Sequence, residues 1–157
     1  MAQVENAREN SRMEKAKRYL RLFMRDTPQL NRLIRREESD DEMLRFAIDM
    51  AISDWNSTSP LISSVYIGNF PSLYLLMQGA AIQILKSQGL LQARNELNYS
   101  AGGSSFVRSN KTQYYQSWMI NVSNEYELKK RNFKISRNIE QGYGGIASEY
   151  DRLGYSW

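Results

Sequence analysis

Apolar residues recur at helical spacing in four stretches of this chain, and the clearest lies near the middle. Leu44, Ala47, Ile48, Ala51, Ile52 and Trp55 follow one another at intervals of three and four, which predicts an amphipathic helix with Trp55 as a core anchor. Ser39 with Glu42 three residues on reads as a capping box, and Asp40 and Asp41 place negative charge where the helix dipole favours it. Asn56-Ser57-Thr58-Ser59-Pro60 stops the helix. A second helix is predicted from Pro71, through Leu73, Leu76, Met77, Ala80, Ala81, Ile84 and Leu85, to about Glu96. Its apolar positions cover most of its circumference, so it should be the buried, central helix. Gly79, Ala80 and Ala81 thin its middle, which suits close approach of a neighbour. A third helix, capped by Ser109 or Asn110, carries Tyr115, Trp118, Met119, Val122, Tyr126 and Phe133 as its core stripe.

The N-terminal stretch, residues 1–26, is a more polar helix. Ala7, Ala16, Tyr19, Leu20, Leu22 and Phe23 form a narrow seam that strengthens only near its end. It reads either as a solvated terminus or as a helix that docks on a neighbour. Thr27-Pro28 ends it, because the residue before proline disfavours helical backbone, and residues 29–36 suit a further turn or two of helix.

Two stretches lack helical period. Residues 97–108 place Leu97, Tyr99, Phe106 and Val107 around Ser100-Ala101-Gly102-Gly103-Ser104-Ser105, which reads as a β-hairpin or extended loop. A lone hairpin is marginal in water and needs support, with Tyr99 and Phe106 as its candidate contacts. Residues 139–157 hold Gly142, Gly144, Gly145 and Gly154, yet also Tyr143, Ile146, Tyr150, Leu153, Tyr155 and Trp157. A disordered tail should be poor in aromatics. These six residues are therefore candidate anchors of an arm that binds a partner. The expected fold class is mainly α: a small helical bundle with an embedded β-hairpin and an extended C-terminal arm. Its divisions are a basic N-terminal helical segment at 1–38, a helical core at 39–138 and the arm at 139–157.

Composition narrows the chemistry. The 157 residues include no cysteine and no histidine. Disulfides and thiolate metal sites are excluded, and the commonest general base and metal ligand are missing. The net charge of +4 is unevenly spread. Residues 1–37 hold ten Lys/Arg against five Asp/Glu, residues 38–60 hold six acids against Arg45 alone, and residues 108–138 hold seven basic residues against two acids. Such blocks suit contact between copies or with a polyanion. The polar N-terminus has no apolar core of a signal peptide. The apolar run from Leu73 to Leu85 is too short to cross a bilayer. A soluble protein with no membrane contact is expected.

Candidate catalytic and metal sites do not emerge. The carboxylates of Glu37/Glu38 and Asp40/Asp41/Glu42 are runs whose members point apart, and Asp49 and Asp54 would project about 140° from one another on a helix. No phosphate loop, dinucleotide fingerprint or nucleophile elbow is present. We expect no catalytic residue, no metal and no cofactor. Lys129, Lys130, Arg131 and Lys134 cluster near the end of the last helix, where they complement its dipole. They are also candidate contacts for DNA or an acidic partner, although no helix-turn-helix pairing accompanies them.

The order of parts resembles a known family. The segment Ala51-Ile52-Ser53-Asp54-Trp55-Asn56-Ser57-Thr58-Ser59-Pro60 leads into the central helix. Ala93-Arg94-Asn95-Glu96-Leu97-Asn98-Tyr99-Ser100-Ala101-Gly102-Gly103 and the stretch from Asn138 to Tyr150 follow. Over roughly residues 38–150 the chain resembles the head-to-tail connector (adaptor, head-completion or neck) proteins of tailed bacteriophages, in architecture rather than by a diagnostic motif. The resemblance implies a homo-oligomeric ring, usually a dodecamer, beneath the portal protein. It also implies an arm that inserts into the portal or a neighbouring subunit, a tail or neck protein on the far side, and non-specific genome DNA in the lumen. The site implied is the virion neck, assembled in the host cytoplasm, with no catalytic residues. Two other functions fit the same residues: a small DNA-binding or packaging accessory protein, and a strand-richer stopper or tail terminator.

Overall fold

A computed structural model of the chain describes residues 2–31, 35–61, 63–94, 100–101, 104–105 and 111–143. Four helices account for it: α1 (Ala2–Met24), α2 (Asp41–Ser57), α3 (Leu73–Arg94) and α4 (Lys111–Tyr143).

The expected β-hairpin is corrected. The described part is 75% helical and carries no embedded hairpin. Among the described residues between α3 and α4, Ser100–Ala101 and Ser104–Ser105 face each other in a two-residue antiparallel pairing. Two residues a side can close a turn but cannot present a strand face. The Leu97, Tyr99, Phe106 and Val107 positions expected to form such a face lie outside the described residues.

α3 is the centre, as its all-round apolar pattern predicts. Nine of its residues from Leu75 to Ile84 are buried, all but Gln83. One side of it packs with Leu44, Ala47, Ile48 and Ala51 of α2 and with Met13, Ala16 and Leu20 of α1 in a single cluster. The other side joins Leu75 and Ile82 to Trp55 and to Tyr126 of α4. Trp55 sets its ring 5.0 Å from Phe70 and 5.8 Å from Phe133, so one indole ties α2, the 58–72 connector and α4 together. Asn56 pins that connector by accepting from Val65 N and donating to Val65 O, both at 2.9 Å.

Gly79 explains the thin middle of α3. A Cβ built there would lie 2.7 Å from Tyr126 Oη and 3.3 Å from Ala51 Cβ, so two helices press on one position.

The N-terminal helix docks on its own chain. Its seam is shifted from the expected one: Met13, Ala16 and Leu20 are buried, whereas Leu22 and Phe23 are exposed. α1 closes with Arg25 in left-handed backbone (φ 58°), and Asp26 N donates to Arg21 O at 3.0 Å. Beyond it residues 28–30 make a turn, and Arg35 N donates to Asn31 O at 2.8 Å; residues 32–34 of the stretch expected to be helical lie outside the described residues.

A polar knot joins this end to α2. Asp26, 5% exposed, accepts from the backbone N–H groups of Glu38 (2.7 Å) and Ser39 (2.9 Å). Arg21 reaches Ser39 O at 2.7 Å and Asp41 at 2.8 Å, and Lys17 reaches Asp41 at 2.9 Å. Burial pushes the Asp26 carboxyl up, but the Glu38, Ser39 and Asn31 hydrogen bonds and the Arg21 charge outweigh it, and the carboxyl sits below its ordinary range. The cap of α2 is Asp40, whose side chain accepts from Met43 N at 2.6 Å. Ser39 is not the cap, because its backbone is drawn inward by Asp26.

Candidate functional site

α4 is the element with surface to spare. Its 33 residues span about 50 Å, and among the described side chains those it buries against the bundle come from one stretch, residues 122–134. Val122, Tyr126, Lys130, Phe133 and Lys134 face the bundle, and every residue from Ile135 to Gly142 is exposed.

Two of the four clustered cations are part of that inner stripe. Lys130 and Lys134 are each 1% exposed. Lys130 donates to Asp54 Oδ2 at 2.7 Å and Glu127 Oε1 at 2.9 Å, and its ammonium stands 5.0 Å from the Tyr126 ring centre. Tyr126 Oη also approaches Asp54, at 3.4 Å. Lys134 reaches the end of α2, where it donates to Trp55 O at 2.6 Å and to Thr58 O, with Trp55's ring 5.2 Å away. The carbonyls at a helix C-terminus lack intrahelical donors and carry partial negative charge. Lys134 therefore complements the dipole of α2, not of its own helix. Burial holds the Lys134 ammonium below its ordinary value, Lys130 adds to this and Asp54 opposes it. Burial also raises the Tyr126 hydroxyl, with the Asp54 and Glu127 charges in the same direction. Neither groove described below is lined by Lys130, Lys134 or Tyr126. The cluster acts as a polar staple between α2 and α4.

Lys129 and Arg131 lie outside the staple. Lys129 pairs with Glu125 at 2.5 Å and stands over Tyr74, with 5.1 Å from ammonium to ring centre. Arg131 is exposed and lines an open groove of ≈510 Å³ with Thr58, Ser59, Pro60, Ile135, Asn138 and Ile139.

That groove borders the outward face of α4. At about 100° per residue, Ile120, Asn121, Asn124, Leu128, Arg131, Asn132, Ile135 and Ile139 fall opposite the Tyr126–Phe133 stripe, and all are exposed. Ile120 is 56% exposed and Leu128 61%. Arg131 is the single charge in this sector. A solvated helix face is normally rich in charge; this one is asparagine and branched aliphatic. Sequence reasoning follows the Tyr115–Phe133 series and misses this second one. Its spacing from Leu128 to Ile135 and Ile139, seven and four residues, is the available signal.

Of the arm residues, Tyr143 is the last residue of α4, which continues through Gly142 with open space where a Cβ would lie. Ile146, Tyr150, Leu153, Tyr155 and Trp157 lie outside the described residues, as do Tyr99 and Phe106. Among the described residues no group of three or more His, Cys, Asp and Glu could hold a metal ion. Among them, too, no helix is long and apolar enough to cross a membrane. No protein-family model, curated protein or solved structure matches the chain.

Proposed function

We propose that this chain is a structural assembly subunit: a ring-forming connector (adaptor) between the portal and the tail or neck of a tailed bacteriophage, with genome DNA passing through the ring. The observation that carries it is α4. A helix whose last two turns stand clear of the bundle, and whose outward face is Ile, Leu and Asn with one charge, has the surface of a part that is covered on assembly. The resemblance in order of parts supports the connector over other assemblies. The helical content supports an adaptor over a strand-rich stopper or tail terminator.

The test is native mass spectrometry of the full chain, alone and mixed with a portal protein. The expected result is a closed oligomer, alone or on the portal. A chain that stays monomeric in both conditions refutes the assembly role. Removing residues 142–157 should leave the far-UV circular dichroism of the bundle nearly unchanged and abolish portal docking. If instead the isolated monomer binds duplex DNA with steep salt dependence, lost on neutralising Lys129 and Arg131, a DNA-binding accessory role takes its place.

A further inference from the structure

Two helix faces turn away from the core, and they differ in charge. On α4, Leu128 and Ile135 are 61% and 39% exposed, with Arg131 between them, and the carboxylates that border this face, Glu125 and Glu127, are held by Lys129 at 2.5 Å and Lys130 at 2.9 Å. On α2, Phe46 and Met50 are 63% and 40% exposed. At about 100° per residue they lie opposite the Leu44–Trp55 core stripe, beside Glu42 and Asp49.

Asp49 opens on a cleft of ≈430 Å³ that Glu9 of α1 also lines. Its cation is Arg45, at a long 4.0 Å and with both side chains more than half exposed. Such a pair is weak. Burial raises the Asp49 carboxyl, Arg45 opposes that, and Glu9 adds to the rise. A second cation brought to this cleft would be favourable. One face is thus apolar with a lone cation, and the other is apolar with an acidic border.

Neither face suits itself. A twofold axis centred on the Leu128–Ile135 stretch would set Arg131 against Arg131, and one centred on Phe46 and Met50 would bring the Glu42 and Asp49 carboxylates of the two copies to the same contact. We propose that the outward face of α4 in one copy docks on the outward face of α2 in the next, with Leu128 and Ile135 against Phe46 and Met50 and with Arg131 at the Asp49 cleft. The contact is heterologous: each copy offers one face and receives the other. Repetition then closes a ring or extends a filament. It rests on the assembly role proposed above and names the partner surface for it.

The absence of native cysteine makes a direct test available. Phe46→Cys and Ile135→Cys are made singly and together in the full chain and oxidised under conditions where native mass spectrometry shows oligomers. The double variant should give a ladder of multimers, and a mixture of the two single variants should give a dimer. Each single variant alone should give little. A disulfide dimer formed as readily by Ile135→Cys alone would assign the face to a twofold contact and overturn the proposal. Oligomers without the 46–135 cross-link overturn this interface while leaving the assembly role standing. Maleimide labelling of the Ile135→Cys monomer adds a control. A thiol that is protected there, and freed by deleting residues 144–157, would assign the face to the chain's own C-terminal segment and also overturn the proposal. A monomer at every concentration overturns the contact, and persistence as a monomer with portal protein overturns the assembly role too. Arg131→Glu or Asp49→Lys should each weaken association about tenfold, and the two together should restore much of it.

Discussion

Gly79→Ala measures how tightly the three inner helices are packed. The added methyl would meet Tyr126 Oη at 2.7 Å, Tyr126 Cζ at 3.0 Å and Ala51 Cβ at 3.3 Å. Tyr126 is 3% exposed, so its ring has little room to withdraw. Overpacking of this kind costs about 1–3 kcal/mol. Replacing a helical glycine by alanine returns about 1 kcal/mol of helix propensity. The net expectation is a loss of about 0–2 kcal/mol. Tyr126→Phe removes the nearest atom and a long 3.4 Å contact with Asp54, which keeps Lys130 at 2.7 Å. Alone it should cost about 0.5–1.5 kcal/mol. Together the two changes should cost about 1 kcal/mol less than their sum, because the clash that alanine creates is with the atom that phenylalanine lacks. Urea unfolding followed by tryptophan fluorescence reads all four corners of this cycle. Strict additivity, or a Gly79→Ala variant stabilised by the full propensity gain, would refute the close approach of α4 to α3.

Three further outcomes follow from the polar contacts. Asp40→Ala should destabilise α2 by about 1 kcal/mol, whereas Ser39→Ala, whose hydroxyl has no partner among the described residues, should change little in the same unfolding assay. Asp26 has a folded-state carboxyl held below its unfolded value. Its contribution is therefore complete near neutrality and is lost as pH falls through the lowered folded value. Unfolding titrations should show an acid limb that Asp26→Asn flattens, along with a lower plateau at neutral pH. Lys134→Met keeps the aliphatic stem but leaves the Trp55 and Thr58 carbonyls without their donor. It should cost about 1–3 kcal/mol, and Lys129→Gln should leave the unfolding midpoint where it is.

Helix-level structure is largely legible in the sequence. The Leu44–Trp55 series and the Leu73–Leu85 series form α2 and α3 because one has an apolar stripe and the other an apolar circumference. Periodicity reports which residues share a side of a helix, and for a helix covered all round no further information is needed. The β-hairpin expectation fails because the glycine turn supports a pairing of just two residues a side, Ser100–Ala101 with Ser104–Ser105, too short to present a strand face. Ser39 has the right spacing to Glu42 for a cap and still is not one. Which of Ser39 and Asp40 caps depends on Asp26, thirteen residues earlier than Ser39 in the chain. The candidate site is legible only in part: Arg131 is found as one of four clustered cations, but neither its outward direction nor the aliphatic face around it is.

The cluster at residues 129–134 marks the boundary most clearly. Sequence alone determined that four cations fall within two turns of one helix, that histidine and cysteine chemistry is absent, and that the central helix is buried. Only the tertiary structure decided that Lys130 and Lys134 turn inward, to Asp54 and to the carbonyl end of α2, while Arg131 turns outward among isoleucines. The reason is physical. A lysine stem reaches whatever acceptor lies across a helix–helix contact, and the acceptors here, a carboxylate and two carbonyls at the end of α2, belong to residues more than seventy positions away.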